Sequence, residues 1–160
     1  MIPEKEIEKR IIETVKALGV EGLGVTGMWE SLESELAGGA KVKLSNPPVI
    51  ATVAVASPTY QSMAVPCVEI ACSITLEANK VLDKGGKTLT EAADAISSLL
   101  NRLNLDIDCE HGGGFEVKGC FTPSGLSVSG DGGLRKEYDD DGVAVWVYSR
   151  PFNLFGYIEN

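Results

Sequence analysis

The sequence predicts an α+β domain, a mostly antiparallel sheet with two main helices packed on one face, and three observations point to it. Two stretches, near the N-terminus and across residues 88–103, carry apolar residues at helical spacing. Residues 49–56 and 65–77 are β-branched or alternate in polarity, with only a short loop between them. The last third of the chain is cut into short strand-like pieces by glycine-rich turns, so strands follow strands and do not alternate with helices. At 160 residues the chain is one domain, 1–160.

The first helix rests on Ile7, Ile11, Val15 and Leu18, with Ile12 beside them. Pro3 suits a first turn, where a missing N–H costs nothing. Glu4 and Glu6 sit near the positive end of the helix dipole and Lys16 near the negative end, and Gly19 ends the element. Gly22, Gly24 and Gly27 then read as a flexible interhelix turn. Trp29, Leu32 and Leu36 recur at helical spacing over Met28 to Ala37, and Gly38-Gly39 stop that helix. Asn46-Pro47-Pro48 is a second stop and a strand entry.

Val49 to Ala56 reads as a strand closed by Pro58. In the next strand, Val65 to Glu77, the residues Val68, Ile70, Cys72, Ile74 and Leu76 share one face. The loop Ser57–Ala64 fits an antiparallel hairpin. Thr88-x-x-Glu91 has the form of a capping box. Behind it Leu89, Ala92, Ala93, Ile96, Leu99, Leu100 and Leu103 make a wide apolar stripe, expected to pack on the two preceding strands with Ile96 and Leu100 in the core. Phe115–Phe121, Leu126–Ser129 and Val143–Ser149 are short strands, followed by the aromatic segment Phe152–Ile158. Pro151 has no N–H to donate to a ladder, so this last segment is expected to leave the sheet as an arm.

Composition narrows the function classes. Fourteen basic residues against 23 acidic ones leave a net charge of −9, a field that repels phosphate backbones, so specific nucleic-acid binding is not expected. The longest apolar run, Val49 to Ala56, falls well short of the ~20 residues of a membrane span. The start Met1-Ile2-Pro3 runs straight into a charged helix with no secretory pattern, and the four cysteines read as reduced thiols.

Motifs for chemistry fail on context. Gly22-Leu23-Gly24-Val25-Thr26-Gly27 has the letters of a dinucleotide fingerprint, but a helix precedes it and only a short one follows. Cys67, Cys72, Cys109, His111 and Cys120 lack the close ligand pairs of a zinc site, and Cys67 and Cys72 point to opposite strand faces. His111 is the sole histidine, and Gly125 to Gly130 does not complete a nucleophile elbow. Asp139-Asp140-Asp141-Gly142 is turn chemistry and not a calcium loop. No catalytic, cofactor-binding or metal-binding residue is assigned, and no enzymatic activity is expected. The aromatics are more informative. Five of the chain's ten lie within one terminal segment, Trp146, Tyr148, Phe152, Phe155 and Tyr157, and aromatics are enriched at protein interfaces. These five are the candidate interface.

The layout as a whole resembles the tail terminator and tail-completion (minor tail) proteins of long-tailed bacteriophages. The resemblance is carried by the amphipathic helix Lys5–Leu18, the pair Val49–Ala56 and Val65–Glu77, the helix Leu89–Leu103, and the closing strands through Gly142-Val-Ala-Val-Trp-Val-Tyr148. It implies a virion structural protein of a phage or prophage, assembled in the bacterial host cytoplasm. Such a protein forms a ring, typically a hexamer, that caps the tail tube and meets the head-completion proteins without catalysis or cofactor. An acidic surface is compatible with DNA passing through such a ring without sticking. Another phage neck, tube or baseplate component, or a small-molecule-binding α+β domain, are the alternatives.

Overall fold

The computed structural model describes residues 1–37, 47–61, 67–79, 81–105 and 114–159. Its helices are α1 (Pro3–Lys16), α2 (Met28–Leu36) and α3 (Lys87–Leu105), the last entered through a short 3₁₀ turn, Lys84–Gly86. Its strands are β1 (Leu23–Gly27), β2 (Val49–Val55), β3 (Thr59–Tyr60), β4 (Cys67–Ala78), β5 (Phe121–Val128), β6 (Gly133–Tyr138) and β7 (Ala144–Ile158). The fold is α+β, with one seven-stranded, mostly antiparallel sheet in the order β1-β2-β4-β7-β5. β3 continues the β2 edge of β4, and β6 continues the β5 edge of β7. Only β1 and β2 run parallel.

β4 and β7 are the two long central strands. Their register sets Ile70 opposite Leu154, Cys72 opposite Phe152 and Leu76 opposite Tyr148. Because side chains alternate along a strand, Val68 through Ala78 in even steps and Phe152 and Leu154 share one face. Val49, Ala51 and Val53 of β2 and Leu126 of β5 join that face through their own registers. α1 covers it with Ile7, Ile11, Ile12 and Val15, and α3 with Ala92, Ile96, Leu99, Leu100 and Leu103, in a single core cluster. The opposite face carries small uncharged residues such as Thr52, Ala71, Ser73, Thr75, Ser149 and Asn153. Arg135 is the one basic strand residue there, and it is paired with Glu137.

Four expectations are corrected. The glycine-rich stretch 22–27 is not a flexible turn but largely the edge strand β1, with Leu23 and Val25 packed against the core. The α3 cap is not the Thr88/Glu91 box. Asp83, almost fully buried, accepts the N–H of Thr88 at 2.9 Å and of Leu89 at 3.0 Å, and the helix begins one residue before Thr88. Phe115–Phe121 is mostly turn, closed by a single bridge between Val117 and Phe121, and β5 starts at the end of that segment. An unforeseen strand, β6, follows β5.

The fourth correction concerns Pro151. It does not break the ladder, and β7 runs through it to Ile158. On the β5/β6 side of β7, pairing with β5 ends at Phe152 and pairing with β6 begins at Ser149. Pro151 lies in the gap between those two partners, where a missing N–H leaves no ladder bond unmade. Its carbonyl accepts the Ser129 N–H at 3.1 Å as the chain turns from one edge strand to the next. Gly132 makes that turn possible, since a Cβ there would lie 2.4 Å from the Ser149 carbonyl oxygen and 2.7 Å from the Pro151 ring. Phe152 is therefore not in an arm. It is 1% exposed and stacked on Phe115 with ring centroids 5.9 Å apart.

Two outcomes follow from this packing. Ile96→Ala removes a fully buried side chain from the α3 stripe and is expected to cost about 2–5 kcal/mol in urea unfolding. A change near 0.5 kcal/mol, the scale of surface substitutions, contradicts the placement. Truncation after Arg150 removes Phe152, Leu154 and the whole partner of β5, and is expected to leave a chain without a cooperative melting transition by circular dichroism.

Candidate functional site

Two places on the molecule combine exposure with chemistry. The first is the cleft between α1 and α2. Its central group is Glu8, a carboxylate only 2% exposed. It projects from α1 to the first turn of α2, where its oxygens accept the Trp29 N–H at 3.0 and 3.2 Å. Gly27, at the N-cap, has no side chain to offer, so a cap is supplied across space by another helix. The same contact requires glycine, because a Cβ at residue 27 would lie 2.5 Å from the Glu8 carboxylate. Burial pushes the Glu8 pKa up, against the lowering effect of the Trp29, Glu30 and Met28 N–H groups. Lys5, Lys9, Ile12 and Lys16 of α1 face Trp29, Glu30 and Glu33 across the cleft, and Lys5 is paired with Glu33. With its oxygens turned to the α2 N-terminus, Glu8 caps that helix.

The second place is the outer half of the β6–β7 hairpin, where the candidate interface residues divide. Trp146 is 41% exposed on the helix-bearing face. The Lys136 ammonium lies 5.7 Å from its ring centroid and 5.8 Å from that of Tyr138. Tyr148 is half-buried. Its hydroxyl is 3.3 Å from Ser97 Oγ, which also accepts from Arg150 Nε at 3.2 Å, and the Arg150 guanidinium lies over its ring. Phe155 and Tyr157 lie on the opposite sheet face, Phe155 half-buried beside Gly125 and Tyr157 exposed. Phe152 is core, as above. The five therefore do not form one patch. Sequence reading missed Leu134 and Tyr138, which stand exposed on β6 beside Trp146. The alternation Leu134-Lys136-Tyr138 was the available signal, too short and too charged to stand out.

Burial holds two of the thiols in the protonated form. Cys72 is buried in the core, which pushes its pKa up to about 12. Cys120 is raised by burial and by the charges of Glu6 and Glu159. Cys67 faces the side of β4 opposite Cys72, and none of these three is in a disulfide. Cys109 and His111 lie outside the described residues. Among the described residues no three His, Cys, Asp or Glu side chains gather as metal ligands, and no helix is long and apolar enough to cross a membrane. The acidic tip is a built turn: Asp139 Oδ1 accepts the N–H groups of Asp141 at 3.0 Å and Val143 at 2.8 Å.

No protein-family model matches this chain, and no curated protein matches it.

The Glu8 contact makes stability depend on pH in a defined direction. Just above the ordinary value of 4.5 the folded chain keeps a proton on Glu8 that the unfolded chain has released. The Glu8 contribution is thus fully present below that value and is lost as pH rises through the raised folded pKa. Urea titrations across this range are expected to show Glu8→Gln gaining on the wild type as pH rises. A stability difference that is flat with pH contradicts the assignment.

Proposed function

We propose that this chain is a structural protein of a phage or prophage tail, a terminator-like ring subunit that caps the tail tube and joins it to the head-completion proteins. It acts by contact and not by catalysis, within a virion tail assembled in the host cytoplasm. The observation that carries this reading is the two-sided build of the sheet. All the core-forming helix packing lies on one face, and the other presents small residues such as Thr52, Ala71, Ser73, Thr75 and Ser149, with Glu69, Glu77 and the Arg135–Glu137 pair among them. An extended sheet face rich in small side chains is suited to lying against another protein ring. Exposed Tyr157 on that face supplies an aromatic anchor of the type that carries binding energy. Among the described residues the two buried carboxylates, Glu8 and Asp83, both turn their oxygens to the N–H groups of a helix start.

The test is assembly. With the tail-tube protein of the same phage or prophage, the chain is expected to bind tube ends, to stop their elongation, and to appear by electron microscopy as a ring of one size at the tube terminus. Tubes that lengthen equally well in its presence, with no terminal ring, overturn the reading.

A further inference from the structure

We propose that α2 of one copy of this chain docks into the cleft between the start of α3 and the β6–β7 hairpin of a second copy. The contact is head-to-tail, and repeated around an axis it closes a ring. It rests on the ring reading above and names the surfaces that join the subunits.

The inserted element is α2. It has the sequence Met-Trp-Glu-Ser-Leu-Glu-Ser-Glu-Leu, with three glutamates and no basic residue. Met28, Leu32 and Leu36 recur every four residues, which places them along one side of the helix, and all three are exposed, Leu36 by 76%. Trp29 instead turns to the α1 cleft. A nine-residue helix has little stability of its own in water. This one is held by the Glu8 cap, the Lys5–Glu33 pair and the contact between Thr26 and Ser31 hydroxyls at 3.4 Å. The protein thus fixes a short helix in place and leaves its apolar side facing outward.

The receiving element has the opposite charge. A cleft of about 410 Å³ is walled by Ala78, Leu89, Leu134 and Trp146. Lys136 stands over the Trp146 ring, and Lys84 and Lys87 flank the Gly85-Gly86 pair of the far wall. The one carboxylate in the lining, Asp83, is occupied by the Thr88 and Leu89 N–H groups. The cleft is therefore largely apolar inside, with Lys136 at the Trp146 wall and Lys84 and Lys87 next in sequence to the glycines of the other. Glu33 pairs with Lys5, whereas Glu30 and Glu35 have no ionic partner among the described residues and are available to those lysines.

Topology separates the two surfaces. α2 follows β1 at one edge of the sheet, and the cleft is bounded by β6 at the other. A chain so built does not fill its own cleft. Each copy offers a helix to one neighbour and a cleft to the other, the arrangement that yields rings when the rotation closes and filaments when it does not.

The experiment uses two full-length variants, Leu32→Glu on the helix and Leu134→Glu in the cleft. Both positions are exposed, and circular dichroism melting verifies folding. Leu36→Glu and Lys136→Glu replace either variant that melts early. By sedimentation velocity the wild type is expected to associate, and each variant alone to be monomeric, its dissociation constant weakened by about 30-fold or more, as for loss of a central anchor. An equimolar mixture is expected to give a one-to-one dimer and nothing larger, because one variant keeps an intact cleft and the other an intact helix. Wild-type rings that survive both substitutions, or a mixture without the dimer, overturn this contact and leave the ring reading standing. A wild type that stays monomeric at all concentrations also overturns the contact, while the tube-capping assay judges the ring reading separately. Open filaments disrupted by both substitutions support the contact and count against the closed ring.

Discussion

The ladder between β4 and β7, from Cys67 opposite Tyr157 to Ala78 opposite Trp146, is the constraint on which the rest of the structure depends. It sets the parity of both strands, and parity decides which side chains enter the core. A one-residue slip would bring Glu69, Ser73 and Glu77 under α3 and put Ile70, Ile74 and Leu76 into water. Every other strand except β1 takes its register from this pair. β2 and β3 align on one side of β4, and β5 and β6 on the far side of β7. β1 is then set by β2, and α2 by β1 and Glu8.

The carboxylates show how an acidic chain keeps its fold. Among the described residues of this chain with 23 acids, the two buried ones, Glu8 and Asp83, serve as caps for helices that begin without a side-chain cap at the N-cap position or with a kinked entry through Gly85. Backbone N–H groups and a helix dipole offset part of the cost of such burial, and at Glu8 desolvation still outweighs them. Other described acids lie on α1, α2, β4 and the tip of the β6–β7 hairpin.

α1, α3, β2 and β4 were legible in the sequence because each carries a long periodic apolar pattern that matches its burial. The stripe Ile7, Ile11, Val15 and the alternation Val68 to Leu76 are both reproduced in the core. β1 was hidden because two of its five residues are glycines, a composition that locally indicates a turn. β6 was hidden because an exposed edge strand buries too little to impose alternation. Pro151 misled because its effect on a ladder depends on what lies across from its nitrogen, and that is decided by where β5 stops and β6 starts. The Thr88/Glu91 pattern misled because Asp83, folded back through the 3₁₀ turn, takes the Thr88 N–H that Glu91 would take in such a box, and the Leu89 N–H beside it. Of the five interface aromatics, local pattern had no means to separate Phe152 from Trp146. They share one face of β7, and only the presence of Phe115 over one and its absence over the other tells core from surface.

By itself the sequence determined the α+β class, the positions of the two core helices and the two longest apolar strand patterns, and a net charge unsuited to gripping phosphate. These are properties of composition and periodicity, which act within a single element. The tertiary structure alone decided which strands are neighbours, that Glu8 caps α2 from another helix, and that α2 and the Trp146 cleft stand at opposite edges of one sheet. Each of those facts joins residues far apart in the chain, as Glu8 and Trp29 are, or Gly132 and Pro151. Pairings of that kind are selected by three-dimensional packing, for which a local pattern carries no signal.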